Sequence, residues 1–393
     1  MKLAEHFSRY IMKGEKTMSF DALTAYLDSL DACGIPARDL SVWQDHRQIY
    51  RHMSGSADGE KRPVTARDIY WQYSTTKVVC CTTALRAVED GLLSLDDRVE
   101  AYLPAFGKLR VQDGTQIRPA KTPLTIRHLM TMTGGLTYNW NTRSEMIALF
   151  ENSQADIQDV AAAIASEPLS FEPDEDFQYG LCHDVLGLVL AAASGKTLGE
   201  YMREKIFAPL EMRDTGFFLS DAQSARLTTH FQYDSATKTT APAPHPRPFA
   251  ITPNYESGGG GLFSTVDDYI RFADALACGG HGFNGYSLLQ PESIGYFTKN
   301  QLPAPLLERF QEKTGHWGNG YGLGVMTLMD PAPRHYRCPL GTFGWGGACG
   351  TKVYIDCQNH ISVYFAMEVA NGCNYSGYEN HPHNRIINLL YGS

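Results

Sequence analysis

The chain predicts an α/β body built from its two ends, with an all-α lobe inserted between them and the strands forming one antiparallel sheet flanked by helices. Strand-type patterning occurs near the start, at residues 40–43 and 48–50, and returns only late, at 321–329, 352–357 and 361–369. Between about 94 and 218 the pattern is helical pieces joined by loops. A two-stranded hairpin cannot bury its apolar face alone, so the early strands must pair with the late ones. This places residues 1–93 and 236–393 in a discontinuous α/β domain and 94–235 in a mostly helical domain. The expected place for a site is the cleft between them.

In order, Phe20, Leu23, Tyr26, Leu27 and Leu30 recur at helical spacing over 19–30, and Cys33-Gly34 closes that helix. The polar turn Gln44-Asp45-His46-Arg47 joins two apolar runs as a hairpin. Over 76–90 the apolar residues Val78, Val79, Ala84, Leu85, Ala87 and Val88 surround the helix on several sides, the mark of a helix in the protein's middle, and Gly91 ends it. The insertion is read as helices at 126–132, 143–150, 157–166, 183–193 and 200–207, the last stopped by Pro209. The run Gly258-Gly259-Gly260-Gly261 is no phosphate loop, because no G-K-[ST] follows. It is expected to bend the chain at the cleft or to permit close helix packing. A helix over 266–276 has Asp267 and Asp268 in its first turn, where the helix dipole favours them, and a final helix spans 383–390.

The net charge of −9 is spread without an acidic or basic tail, so no Lys/Arg stripe is available to neutralise nucleic-acid phosphates. The first residues, Met1-Lys2-Leu3-Ala4-Glu5-His6, lead into polar sequence without the apolar core of a signal peptide, and no segment is apolar enough to span a bilayer. A cytoplasmic location is the expectation. Nine scattered cysteines without a C-x-x-C pair suit reduced thiols better than a disulfide framework or a zinc knuckle.

Three stretches are candidates for chemistry. In Tyr73-Ser74-Thr75-Thr76-Lys77 a hydroxyl and an amine lie three residues apart, roughly one helical turn, so the lysine can take the proton of an attacking serine. The plain alternative is a helix cap and a surface charge, which the neighbours Val78, Val79 and Cys80 weaken. Tyr179, in Phe177-Gln178-Tyr179-Gly180-Leu181, becomes a proton carrier if a cation such as Lys77 is near it. Otherwise it is a core or capping tyrosine. The third stretch, Phe343-Gly344-Trp345-Gly346-Gly347-Ala348-Cys349-Gly350, has four glycines in eight residues and leads into a strand, which allows a backbone amide to approach a ligand closely. His183 is a further pocket candidate. His381 and His383 lack metal-ligand spacing, and Cys80 and Cys81 suit packing.

In this order, Ser74-Thr75-Thr76-Lys77, Tyr179 and Trp345-Gly346-Gly347 resemble the serine β-lactamase and penicillin-binding-protein superfamily, and within it the class C-like serine esterases, often called family VIII carboxylesterases. Asp90-Gly91-Leu92-Leu93-Ser94-Leu95-Asp96-Asp97 and the segments 126–136 and 209–215 look like that family's connecting segments. The resemblance covers about residues 20–390. It implies the β-lactamase/transpeptidase-like fold, Ser74 as nucleophile, Lys77 as its base and Tyr179 as proton shuttle. The amides of Ser74 and Ala348 would form the oxyanion hole. No metal, nucleotide or flavin is implied.

Two departures bear on substrate. The Tyr-x-Asn motif of class C β-lactamases has Leu181 at its Asn, and Trp345 stands where their third motif begins with Lys. Both remove polar contacts to a lactam and leave an apolar wall, so a neutral short- to medium-chain ester is the expected substrate. Trp345, Gly346, Gly347, Leu181, Tyr138, His183, Phe343 and Trp140 are candidates to shape its pocket. The competing readings are a β-lactamase or D-amino-acid amidase, an acyltransferase, and an inactive binding protein that keeps the fold. Oligomeric state is open.

Overall fold

The computed structural model describes residues 20–138, 154–245, 254–370 and 381–392. Its centre is a seven-stranded antiparallel sheet of β1 (Ala37–Gln44), β2 (Arg47–Gly55), β3 (Asn319–Tyr321), β4 (Met326–Leu328), β5 (Phe343–Gly344), β6 (Lys352–Asp356) and β7 (Ile361–Ala366), in the order β2-β1-β7-β6-β5-β4-β3. The N-terminal hairpin joins the C-terminal strands through β1 and β7, with Leu40 opposite Phe365 and Val42 opposite Val363. The hairpin turns through Asp45 (φ 48°) and His46 (φ 64°), both left-handed. That is the backbone a two-residue hairpin needs to match the strands' right-handed twist.

The helices used below are α1 (Asp21–Ser29), α2 (Thr76–Glu89), α3 (Ile126–Met130), α4 (Ile157–Ser166), α5 (Cys182–Ser194), α6 (Val266–Ala277) and α7 (Pro382–Tyr391). Alternation along β7 divides the core between the two sheet faces. Val363 and Phe365 join Leu23 and Leu27 of α1 and Ile386, Ile387 and Leu390 of α7. Tyr364 and Ala366 face the larger core that holds α2, α5 and α6. In α2 every side chain from Thr76 to Leu85 is buried, Lys77 included, and Gly91 (φ 71°) ends it as expected. Burying a helix on all sides requires its polar residues to find partners inside, and Thr82 and Thr83 donate to the carbonyls of Val78 and Val79, both at 2.8 Å.

The structure corrects several expected elements. Residues 321–329 form two strands, β3 and β4, because Gly322 and Gly324 (φ 84°) reverse the chain between them. The insertion is not wholly helical: Arg110–Asp113 pairs with Gln116–Pro119 around Gly114 (φ 59°). The last predicted strand stops at Ala366, and Val369–Ala370 leaves to pair in parallel with Phe231–Asp234. The expected helix over 200–207 starts at Leu198 behind a Thr197–Glu200 capping box and finishes as a π-turn, Arg203–Phe207. The helix expected over 143–150, and Trp140, lie outside the described residues.

Candidate active site

Ser74 lies in the single 3-10 turn Tyr73–Thr75, between the short strand Ile69–Trp71 and α2. Tyr73 before it has φ 46°, a left-handed conformation that costs a non-glycine residue on the order of 1 kcal/mol or more. The surroundings enforce it. Thr351 Oγ1 donates to the Gln72 carbonyl at 3.0 Å, Tyr269 OH to the Thr75 carbonyl at 2.8 Å, and the Leu262 N–H to Thr76 Oγ1 at 3.2 Å. Tyr73 stacks on Trp71 with ring centroids 4.7 Å apart.

One turn on, Lys77 is fully buried, and its Nζ donates to Ser74 Oγ at 3.2 Å, Tyr138 OH at 2.9 Å and the Gly259 carbonyl at 2.5 Å. Three oxygens around the nitrogen supply the hydrogen-bonding partners that burial of a polar group requires. Asp184 on α5 is buried nearby, and its carboxylate accepts from Ser257 Oγ at 2.6 Å and Tyr255 OH at 3.3 Å. Burial raises its pKa and the charge of Lys77 opposes the rise. The glycine run is explained by this packing. A Cβ on Gly258 would lie 2.4 Å from the His183 carbonyl, and one on Gly259 2.2 Å from Asp184 Oδ2.

Tyr179 enters from the loop before α5. The Lys77 amine sits 4.7 Å from its ring centroid, above the ring and not on its hydroxyl. Trp345 Nε1 donates to Tyr179 OH at 3.1 Å and the two rings stack at 5.5 Å, which leaves the phenol's own proton available to another acceptor. The direct partner of Lys77 is instead Tyr138, whose phenol is pushed well above its ordinary pKa by burial and by Tyr179 and Asp184.

Ala348 lies in the turn between β5 and β6. Gly347 makes the approach possible: a Cβ there would meet Thr351 Oγ1 at 2.1 Å and the Gln72 carbonyl at 2.6 Å. The turn is closed by Gly347 N–H donating to Thr351 O at 2.8 Å and Gly350 N–H to Gly347 O at 3.0 Å. A cavity of about 390 Å³ opens here, lined by Ser74, Tyr179, Trp345, Gly346, Gly347 and Ala348 among others.

The remaining predicted pocket residues lie elsewhere. Leu181 is fully buried in the core that packs α5, so it presents nothing to the cavity. The His183 ring faces Cys81, with Nε2 3.5 Å from Sγ, and burial and then the charge of Lys77 push its pKa down to about 3. Phe343 stacks on Phe297 at 5.3 Å inside the sheet layer. Each is a core residue. Cys80 and Cys81 are buried in α2, as their packing reading expects.

Sequence reasoning missed several members of the site, His316, Lys352 and the Gly259 carbonyl among them. The Gly259 carbonyl carries no side-chain signal, although the four-glycine run marked its place. Lys352, at the start of β6, lines the same cavity with His316, His381 and His383. Its signal was a lysine heading an otherwise buried strand. Burial, and then the charge of Arg334, push its pKa down to about 7. Among the described residues, two other clusters bring metal-type donor atoms together: His46 with Asp274 and Cys278, and His230 with His245 and Glu368. Neither shares a residue with the catalytic cavity.

The sheet, the buried helix and the Ser–Lys–Tyr cluster define a serine acyl-enzyme class of protein. The chain belongs to the family described as Beta-lactamase, whose model matches residues 23–372. Esterase EstB of Burkholderia gladioli is 30% identical over 345 residues, covering 82% of this chain and 83% of its own. Among solved structures, EstCE1, a hydrolase with promiscuous acyltransferase activity, superposes with a TM-score of 0.78 at 26% identity, covering 94% of this chain and 97% of its own. The unliganded selenomethionyl simvastatin synthase LovD of Aspergillus terreus has a TM-score of 0.76 at 21% identity, with 94% and 96% covered, and shares the fold. No helix among the described residues is long and apolar enough to cross a membrane.

Proposed function

We propose that this protein is a serine carboxylesterase working through an acyl-enzyme on Ser74. The observation that carries the reading is the buried Lys77 amine 3.2 Å from Ser74 Oγ, at a cavity walled by Trp345. In its neutral form Lys77 accepts the Ser74 proton as Oγ attacks the ester carbonyl. The carbonyl oxygen gains negative charge and is stabilised by the N–H groups of Ser74 and Ala348. Collapse breaks the bond to the alkoxy oxygen, and Tyr179 delivers the proton that releases the alcohol. Water, deprotonated through the same groups, then attacks the acyl-enzyme, frees the acid and returns the proton to Ser74. The relatives that support ester cleavage include EstB and a lovastatin esterase of Penicillium rubens.

Trp345 in place of a lysine favours esters over lactams. The test is kcat/KM for a short-chain nitrophenyl ester against a chromogenic cephalosporin, with Ser74→Ala as blank. Fast ester turnover lost in the variant, with the cephalosporin far slower, is expected. A cephalosporin rate equal to the ester rate overturns the ester preference. Acyl transfer is the second reading, because EstCE1 is described as a hydrolase with that activity. Added alcohol that diverts the acyl group from water at millimolar concentration would favour it. The division at residues 93/94 and 235/236 into an α/β and a mostly helical domain accompanies this reading.

A further inference from the structure

The catalytic cavity of this acidic protein contains no carboxylate among its described lining residues, yet four of them are nitrogen bases: Lys352, His316, His381 and His383. Lys352 is 7% exposed, and no hydrogen-bond acceptor or carboxylate sits on its Nζ among the described residues. Its Nζ lies over the ring of Tyr354, 4.7 Å from the centroid. A lysine buried without a counter-ion is costly, and its cost is relieved by an anion that enters the cavity.

The flanking rings are neutral. His383 Nε2 lies 3.0 Å from the Gly350 carbonyl and is committed to it. His381 Nδ1 accepts the His383 N–H at 3.4 Å, so its neutral ring carries the proton on Nε2. His316 Nδ1 is buried without a partner among the described residues. Burial, Lys352 and Arg334 push His316 and His381 down to about 3 and about 4, so both stay neutral where an esterase works. Of the other groups facing Lys352, Arg334 stays charged, while Cys338 is held neutral by burial, at about 12, and Tyr354 by burial and then by its neighbours Tyr336 and Cys338.

We infer that Lys352, with His316 and His381, forms an anion subsite in the catalytic cavity, and that the substrate is an ester bearing a carboxylate. The inference rests on the esterase reading and reverses one expectation: Trp345 removes one lysine from the site, but Lys352 supplies another from the neighbouring strand. A carboxylate there holds Lys352 in its ammonium form and brings the ester into the cavity that Ser74 also lines.

The test compares carboxylate esters with neutral isosteres by pH-stat at pH 6.5, in two arms. Phenyl hydrogen glutarate against phenyl 5-methylhexanoate puts the charge on the acyl side. 3-Acetoxybenzoate against 3-isopropylphenyl acetate puts it on the alcohol side. In one arm the carboxylate ester should have the higher kcat/KM by at least tenfold. Lys352→Met should cut that ratio tenfold or more, and Lys352→Arg should keep most of it. Ratios at or below one in both arms, or a ratio unmoved by Lys352→Met, overturn the subsite while leaving Ser74-dependent ester turnover standing. Should Lys352→Met not fold, the wild-type ratio must decline between pH 6 and 9 as Lys352 loses its proton, and a flat ratio overturns the inference. Should ester turnover prove independent of Ser74, calorimetric titration of glutarate into Ser74→Ala still decides, because binding must appear there and vanish in Ser74→Ala/Lys352→Met.

Discussion

The Gly259 carbonyl oxygen accepts a hydrogen bond from Lys77 Nζ at 2.5 Å, so the base of the site is aimed by a backbone atom 182 residues away. Side-chain partners alone would leave the amine free to rotate. A carbonyl fixed between α5 and α6 gives it one direction, and Ser74 Oγ lies within its reach.

Removing the amine tests its role directly. Lys77→Ala should lower kcat/KM for a nitrophenyl ester by about a thousandfold or more, in the range of a lost general base with its activated nucleophile. Labelling of Ser74 by a fluorophosphonate should slow in parallel. Labelling at the wild-type rate would remove Lys77 from nucleophile activation. The variant also leaves the buried Gly259 carbonyl without its Lys77 donor, so about 1–3 kcal/mol of stability should be lost by denaturant unfolding.

The two tyrosines should separate. Tyr179→Phe should reduce kcat by about a hundredfold or more, because the group that protonates the leaving alcohol is gone. Tyr138→Phe should cost about tenfold, since Lys77 keeps Ser74 and Gly259 as partners. Steady-state kinetics of both variants check the order. A larger loss for Tyr138→Phe would move the proton relay to Tyr138.

Two glycines should fail in different ways. Gly259→Ala puts a methyl 2.2 Å from Asp184 Oδ2, inside the core, and should destabilise by about 1–3 kcal/mol. Gly347→Ala meets the Gln72 carbonyl at 2.6 Å and pushes the Ala348 turn away from Ser74. There the loss should appear in kcat more than in Tm. Calorimetric Tm and kcat measured side by side distinguish the two. A Gly347→Ala enzyme with unchanged kcat would exclude Ala348 from the oxyanion hole.

Glu368 predicts a pH dependence of stability. Burial raises its carboxyl to about 7, against the hydrogen bond from His230, while in the unfolded chain it titrates near 4.3. The folded state therefore holds the proton longer. Its contribution to stability is complete below about 4.3 and is lost as pH rises through about 7. Glu368→Gln keeps an acceptor for the Trp71 N–H and removes the titration. Urea unfolding at pH 4.5, 6 and 7.5 should show the variant gaining on wild type by up to about 3 kcal/mol across the window. A constant difference would refute the shift.

Much of the fold was legible because its signals are local. The hairpin turn at Asp45-His46, the all-round apolar pattern of α2 and the Gly91 stop each fix a backbone conformation within a few residues. Residues 321–329 were misread because Gly322 and Gly324 interrupt an apolar run without a polar turn, and burial kept the run apolar through the reversal. Leu181 was placed in the pocket by the motif position it fills, and His183 and Phe343 by nearness in sequence to Tyr179 and Trp345. Along a helix or strand, adjacent residues point to different sides, and all three point into the core.

The sequence by itself determined the chemical type of the site: a serine and a lysine one helical turn apart at the start of a buried helix, a tyrosine before another helix, and a glycine-dense turn beside a tryptophan. Those features are written in spacing and residue type. Only the tertiary structure decided which partners the lysine takes, that Tyr138 is nearer to it than the Tyr179 hydroxyl, and that Lys352 enters the cavity from a strand 275 residues beyond Lys77. Each depends on packing between distant segments, where direction and burial are set by the whole core, so no local pattern records them.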